Sequence, residues 1–253
     1  MDANITAILV KRGEELFNRA ACPVVFTKNS EADALLNDLT NYPHAFVLAC
    51  VMDRQIKAER AWAIPHRLAQ ELGGFSFERL LAVSADEFRK LFVSLQLHRF
   101  PEIMSQNLHA AIEHINSAYS GQAARIWQGQ PSSAEVVFRF LQFAGVGPKI
   151  ATMAANILAR DFKVSLADHY SIDISADVHV RRVFWRLGLV SEGASAEAVI
   201  YRARALHPQF PGLMDFPAWE IGREWCRPTV PQCASCYMSP ICPTSHPTGR
   251  VAG

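Results

Sequence analysis

Four cysteines near the C-terminal end constrain this chain more than any other feature. They are Cys226, Cys233, Cys236 and Cys242 in WCRPTVPQCASCYMSPIC, spaced C-x6-C-x2-C-x5-C. So short a stretch has no core to order it, and four neighbouring thiolates repel one another, so a shared cation is required. Disulfides fit poorly in a chain without an export signal. Zinc is the better rival, but its usual sites pair two short C-x2-C hairpins, and only Cys233 with Cys236 is of that kind. The wide first gap favours a 4Fe-4S cube, whose thiolates approach from separate directions. Cys22 and Cys50 lie in apolar sequence and read as inert core residues.

Length permits one large or two modest domains, since the 253 residues are half hydrophobic and 19% charged. No apolar run approaches the roughly eighteen residues of a membrane span; the stretch from Phe46 to Met52 is too short. The opening MDANITAILVKRGEEL lacks the pattern of a secretory signal, so a cytoplasmic or nucleoid setting is expected, or a nuclear or mitochondrial one in a eukaryotic cell. Lys and Arg number 25 against 24 Asp and Glu, a net charge of +1 that neither demands nor excludes a polyanionic partner. Arginines do gather in the second half, at Arg181, Arg182, Arg186, Arg202, Arg204, Arg223 and Arg227, as a candidate partner surface.

Helical periodicity dominates and strand alternation is scarce. Ile5, Ile8, Leu9, Leu16 and Phe17 share one face of an opening helix, and Phe46, Val47, Cys50 and Val51 repeat the pattern. Ser84 with Glu87, and Ser132 with Glu135, have capping-box spacing. Pro101 suits the first position of a helix running to about Tyr119. Further helices are expected over 134–143, 148–159, 196–206 and 213–225, the last kinked or restarted by Pro217, and one more stops at Gly188. About ten helices and no sheet make the expected fold all-α. The tail after Cys242 reads as a frayed end.

A second signal stands upstream in FLQFAGVGPKIATMAANIL. Gly145 and Gly147 bracket Val146 in a tight turn between two helices, where glycine allows positive φ and close backbone approach. The free N–H groups of the following helix suit a phosphate. Lys149 lies in the first turn of that helix, where the positive helix end disfavours an ammonium, and a neutral amine is a nucleophile able to form a Schiff base with a sugar carbon. Such chemistry also needs a carboxylate to offset positive charge on the sugar. Asp177, in SADVHVRRVFWRLG, opens the next helix and is the first candidate, with Asp173 and Asp168 behind it.

At these segments the chain resembles the helix-hairpin-helix DNA glycosylases, and among them the iron-sulfur branch typified by endonuclease III. AGVGPKIA is similar to that family's LPGVGRKTA, ADVHVRRV to its VDTHVxRV, and the cysteine spacing to its cluster loop. The resemblance spans about Tyr42 to Cys242. It implies a two-lobed fold, with a helical-barrel module over 39–161 and a cluster module from 1–38 and 162–253. It implies a base-excision enzyme acting as a monomer on double-stranded DNA that holds a damaged base or an abasic site. Lys149 falls where the bifunctional members, with both glycosylase and abasic-site lyase activity, place their Schiff-base lysine. Asp177 falls on their essential aspartate.

The same resemblance assigns Gln55, in CVMDRQIKAE, to filling the gap left by an extruded nucleotide. Leu97, in SLQLHRF, is assigned as the apolar wedge on the opposite strand. Gly145, Val146 and Gly147 would hold a phosphate, Arg227 another, and His179 would order the Asp177 region. Cys226, Cys233, Cys236 and Cys242 would ligate the cluster. The chain departs from the pattern in two places. Gln96 stands where the family tends to have glycine, and the stretch from Asp161 to Ala176, with Asp168, His169 and Tyr170, is longer and is expected to remodel the lesion pocket. Adenine-mismatch glycosylases match less well: they lack the lysine and carry a glutamate where Cys50 stands. Oxidised pyrimidine is the expected substrate. A monofunctional glycosylase and a non-catalytic iron-sulfur DNA sensor are the alternatives.

Overall fold

The computed structural model describes residues 2–245, so most of the tail expected to fray lies outside the described residues. Among those described there are thirteen α-helices, four short 3-10 turns and no strand. The all-α expectation therefore holds. The excess over ten helices comes from pieces such as α2 (Ser30–Asn37), α4 (Ala58–Trp62) and α6 (Phe77–Leu81), five to eight residues long, too short for a periodic stripe to register.

Caps set most boundaries. Ser84 and Glu87 form both halves of the box that opens α7 (Ala85–Ser94). Ser132 supplies only the hydroxyl half at α9 (Ser133–Leu141), because Glu135 pairs with Arg139 at 2.9 Å instead. Helices α8 (Pro101–Tyr119) and α12 (Ala196–Leu206) run as their sequence signals indicate. The expected 213–225 helix is divided: a 3-10 turn over Pro211–Met214 precedes α13 (Asp215–Glu224), which restarts two residues before Pro217. Pro217 sits in the first turn, where its missing N–H leaves no bond unmade.

Helix α3 (Pro43–Met52) corrects the one-face reading of its sequence, for every residue from His44 to Met52 is buried. It is the central strut of the larger core. Around it pack α5 (Ile64–Leu72), α8 and α10 (Pro148–Arg160), with Phe46, Phe88, Phe92, Phe140 and Phe143 filling the interior. A helix apolar all round has no other stable place.

A second cluster joins the two ends of the chain. Ile5 and Leu9 of α1 (Asp2–Phe17) pack with Val180, Val183 and Phe184 of α11 (Val178–Arg186), with Ala218 and Ile221 of α13, and with Met238. Two glycines make the close approaches. A Cβ on Gly13 would lie 2.1 Å from the Leu213 carbonyl, and one on Gly222 would lie 2.8 Å from Cβ of His179. Thus α13 seats directly on the first turn of the helix that carries Asp177. Cys50 is buried, whereas Cys22 is exposed, which corrects its reading as a core residue; it lies in the extended segment between α1 and α2, away from both cores.

Candidate active site and DNA interface

The hairpin joins α9 to α10 through residues 142–147. Gly145 has φ +82°, and its face is crowded: a Cβ there would meet Asn107 Nδ2 at 2.4 Å and Arg54 Nη1 at 3.4 Å. Glycine is required at that position. It is not required at Gly147, whose φ of −107° is open to any residue and whose Cβ position is free. The N–H groups of Gly147 and Lys149 make no hydrogen bond among the described residues. Together with the dipole of the thirteen-residue α10 these donors have the chemistry that suits an anion. Val146 is half-buried beside it.

Lys149, the second residue of α10, is exposed to solvent. Asp177 is half-buried and is the N-cap of α11, its Oδ1 accepting the N–H groups of His179 at 2.8 Å and Val180 at 2.9 Å. Capping holds one carboxylate oxygen and leaves the other unengaged among the described residues. Val178 beside it is 69% exposed. His179 does not face the opening; it packs on Gly222 and meets Arg182 Nη2 through Nδ1 at 3.1 Å. Burial pushes the Asp53 carboxyl up, with Lys149 opposing the rise and Asp177 and Glu59 adding to it.

The fallback acids have structural partners. Asp173 is buried in a two-pronged ion pair with Arg204, both contacts 2.7 Å. Asp168 accepts the Ser133 hydroxyl and N–H at the start of α9. Behind Asp177 lies a carboxyl that sequence reasoning missed, Asp215. It accepts the Ser175 N–H at 2.7 Å and is raised to about 6, chiefly by burial, with Asp177 adding to the rise and Arg160 opposing it. Because the folded protein holds this proton more tightly than the unfolded chain, ionising Asp215 costs stability. The cost is absent below about pH 4 and complete above about pH 6, on the order of 3 kcal/mol for a shift of that size. Asp215→Asn is therefore expected to raise the melting temperature at pH 7–8 and to give no gain at pH 4, as followed by thermal unfolding across that range.

Two loops form the rim beside the hairpin. Gln55 is exposed at φ +56°, and Gln96 is exposed at φ +50°. Leu97 is a correction. It is fully buried in the larger core, because the left-handed turn at Gln96 sends the next side chain inward, so it offers no wedge. The exposed tip is Gln96, with half-buried Leu95 before it. Guanidinium groups stiffen this tip: Arg67 donates to the Leu95 carbonyl at 2.7 Å, and Arg60 to those of Gln96 and Leu97. Arg99 reaches the Gln55 carbonyl at 3.5 Å. Buried His98 accepts the Phe100 N–H on Nδ1, which leaves its Nε2 facing the Met52 and Arg54 carbonyls without a bond of good geometry. The two loops are thus one tied unit.

The longer segment after α10 has two parts, of which the one around Asp168 lies away from this rim. Asp168 is anchored at the N-terminal end of α9, a helix length away from the hairpin at its C-terminal end. His169 stacks on Phe210 with ring centroids 4.6 Å apart, edge-on to Phe17. Tyr170, 63% exposed, is the free member. The Asp168–Tyr170 part of the segment thus packs at the base of the α9–α10 pair against α1, while its end at Ser175 and Ala176 adjoins Asp177.

The four cysteines of the C-terminal loop form no disulfide and line one cavity, walled by Val183, Leu187, Ile221, Trp225 and Met238. Burial pushes the Cys236 thiol up, and the other three thiols add to the rise. No three His, Cys, Asp or Glu among the described residues stand close enough to share a single metal ion. Arg186 Nη1 lies 3.4 Å from Cys226 Sγ and also binds the Arg227 carbonyl at 2.7 Å. Arg182 binds the carbonyls of Cys226 at 2.6 Å and Gly222 at 2.7 Å, tying the Asp177 helix to the loop. Most guanidinium groups of the arginine-rich surface are therefore engaged within the protein. Arg181, Arg202, Arg204 and Arg223 are likewise engaged, with Ala194, Asp2, Asp173 and Glu59, whereas Arg227 is exposed with no side-chain bond among the described residues.

A helical hairpin with a lysine at its exit, a capping aspartate on the next helix and a rim of two braced loops define the helix-hairpin-helix class of DNA glycosylase fold. Residues 48–209 match the family described as the HhH-GPD superfamily of base excision DNA repair proteins, and the chain belongs to that family. It superposes on a trapped endonuclease III–DNA covalent intermediate with a TM-score of 0.63, 19% identity and 96% of each chain covered. A thermostable thymine-DNA glycosylase gives 0.62, at 15% identity and 96% of each chain. The 8-oxoguanine glycosylase/lyase of Clostridium acetobutylicum, in complex with DNA, gives 0.57 at 12% identity over 88% of this chain and 69% of that one. At such identities the likeness is one of fold. No curated protein sequence matches the chain. No helix among the described residues is long and apolar enough to cross a membrane.

Proposed function

We propose that this chain is a bifunctional DNA glycosylase with abasic-site lyase activity, working as a monomer on duplex DNA that contains an oxidised pyrimidine. The observation that carries the reading is the pair of helix starts: Lys149 in the first turn of α10 at the hairpin exit, and Asp177 capping α11 with one carboxylate oxygen unengaged among the described residues. The glycosidic carbon is inaccessible inside stacked DNA, so the damaged nucleotide is first extruded. The N–H groups of Gly147 and Lys149 hold a backbone phosphate, and Arg227 offers a second contact. Gln55 and the Gln96 tip occupy the opened stack.

Lys149 then attacks C1′ as the base departs, and Asp177 offsets the positive charge that develops on the sugar. Loss of a C2′ proton from the imine expels the 3′ phosphate and nicks the strand. The thiols of Cys226, Cys233, Cys236 and Cys242, all four lining one cavity, would hold a 4Fe-4S cluster. When bound it supplies a cross-link that orders the loop bearing Arg227; no step of the reaction is assigned to it.

The test is borohydride trapping on a duplex with an abasic site, followed by a panel of duplexes with one defined lesion each. A covalent protein–DNA adduct that disappears in Lys149→Ala is the expected result. Base release with strand breakage only after alkali, and no adduct, would select a monofunctional glycosylase. Tight, salt-sensitive binding with no product would select a DNA sensor.

A further inference from the structure

We propose that Asp53 is a second catalytic carboxyl of this pocket, the acid that gives the departing nucleobase its proton. The inference rests on the reading of Lys149 and Asp177 above and deepens it. Asp53 is the C-cap of α3, where a helix buried on every side ends and the chain turns outward to exposed Arg54 and Gln55. Its loop is tied on two sides. On one side Arg54 reaches the hairpin at Gly145. On the other, Glu59 accepts Arg223 Nη2 at 2.5 Å from α13, the helix on which α11 is seated.

There the Asp53 carboxyl is half-buried and makes no hydrogen bond among the described residues. A polar group withdrawn from water without a partner is costly, and a bound base would complete it. The charged groups whose fields reach it are Lys149, Asp177 and Glu59. Burial raises its proton affinity and outweighs the opposing ammonium of Lys149, while the two carboxylates add to the rise. An acid so placed keeps its proton nearer to neutral pH, as leaving-group protonation requires.

The step balances as follows. The Lys149 lone pair forms the bond to C1′ while the pair of the C1′–N bond leaves with the base. The Asp53 proton moves to the base, which departs neutral, and Asp53 becomes a carboxylate that water reprotonates. The new secondary ammonium passes one proton to O4′ as the sugar ring opens, giving the protonated imine.

The experiment measures two rates in wild-type protein and in Asp53→Asn. One is single-turnover base release from duplexes carrying thymine glycol, uracil or 8-oxoguanine. The other is nicking of a preformed abasic site, which has no base to protonate. Base release is expected to fall about 100-fold or more, the usual size of an acid–base contribution, with the alkaline limb of its pH profile lost. Abasic-site nicking should change less than about threefold on the same reasoning, and Asp53→Glu should retain the limb. Unchanged base release would overturn the assignment, as would release and nicking falling together. So would a wild-type protein that nicks and traps abasic DNA yet releases none of the three bases. Absence of trapping by wild-type protein would instead strike the parent reading of Lys149.

Discussion

Asp177→Asn is expected to reduce base excision by about a thousandfold, within the range for a charge placed against a developing cation, while leaving the fold intact. Asparagine caps a helix as well as aspartate does, so the bonds to His179 and Val180 survive and only the negative charge is lost. Asp177→Ala removes both and should cost a further ~1 kcal/mol of stability. Single-turnover kinetics beside thermal melts separate the two contributions. If the asparagine variant excises at the wild-type rate, Asp177 is a cap and nothing more.

Cys236→Ala carries the other large effect. Cys236 is half-buried against the smaller core, and its thiol shares one cavity with the other three. On the proposed cluster, the purified variant should be colourless, with iron falling from about four atoms per chain to almost none. The loop from Cys226 to Cys242 should then become open to protease, and DNA affinity should fall with the loss of an ordered Arg227. Iron analysis, absorption near 400 nm (a rough expectation for thiolate-to-iron transitions) and limited proteolysis read these outcomes. A wild-type protein holding zinc in place of iron would refute the cluster.

Local rules recovered much of this molecule. Capping and proline signals placed α7, α8 and α12, because a cap is a short-range bond between residues three apart. The hairpin, Lys149 and Asp177 were visible for the same reason, as each lies at a helix start. What escaped was set by three-dimensional neighbours. Leu97 reads as an exposed loop leucine until the left-handed turn at Gln96 rotates it inward. The arginines looked like a DNA surface, yet their partners are carbonyls and acids as much as 200 residues away in sequence. Asp53 carries no local signal in CVMDRQIKAE, since the role proposed for it comes from burial and from charged neighbours distant in sequence. Asp215 likewise acquires meaning only from burial behind Ser175.

The smaller core joins Ile5 and Leu9 to residues near Met238. A ribosome therefore releases α1 long before the segments that cover its apolar stripe exist. The larger core, closed mainly by residues 36–159, can assemble during synthesis, whereas α1 must wait for the final helices to emerge. Closing so long a loop adds little free energy cost but delays the contact. The nascent chain thus passes through a stage in which one module is finished and its first helix is still unshielded, and truncations near the C-terminus should leave newly made protein dependent on chaperones.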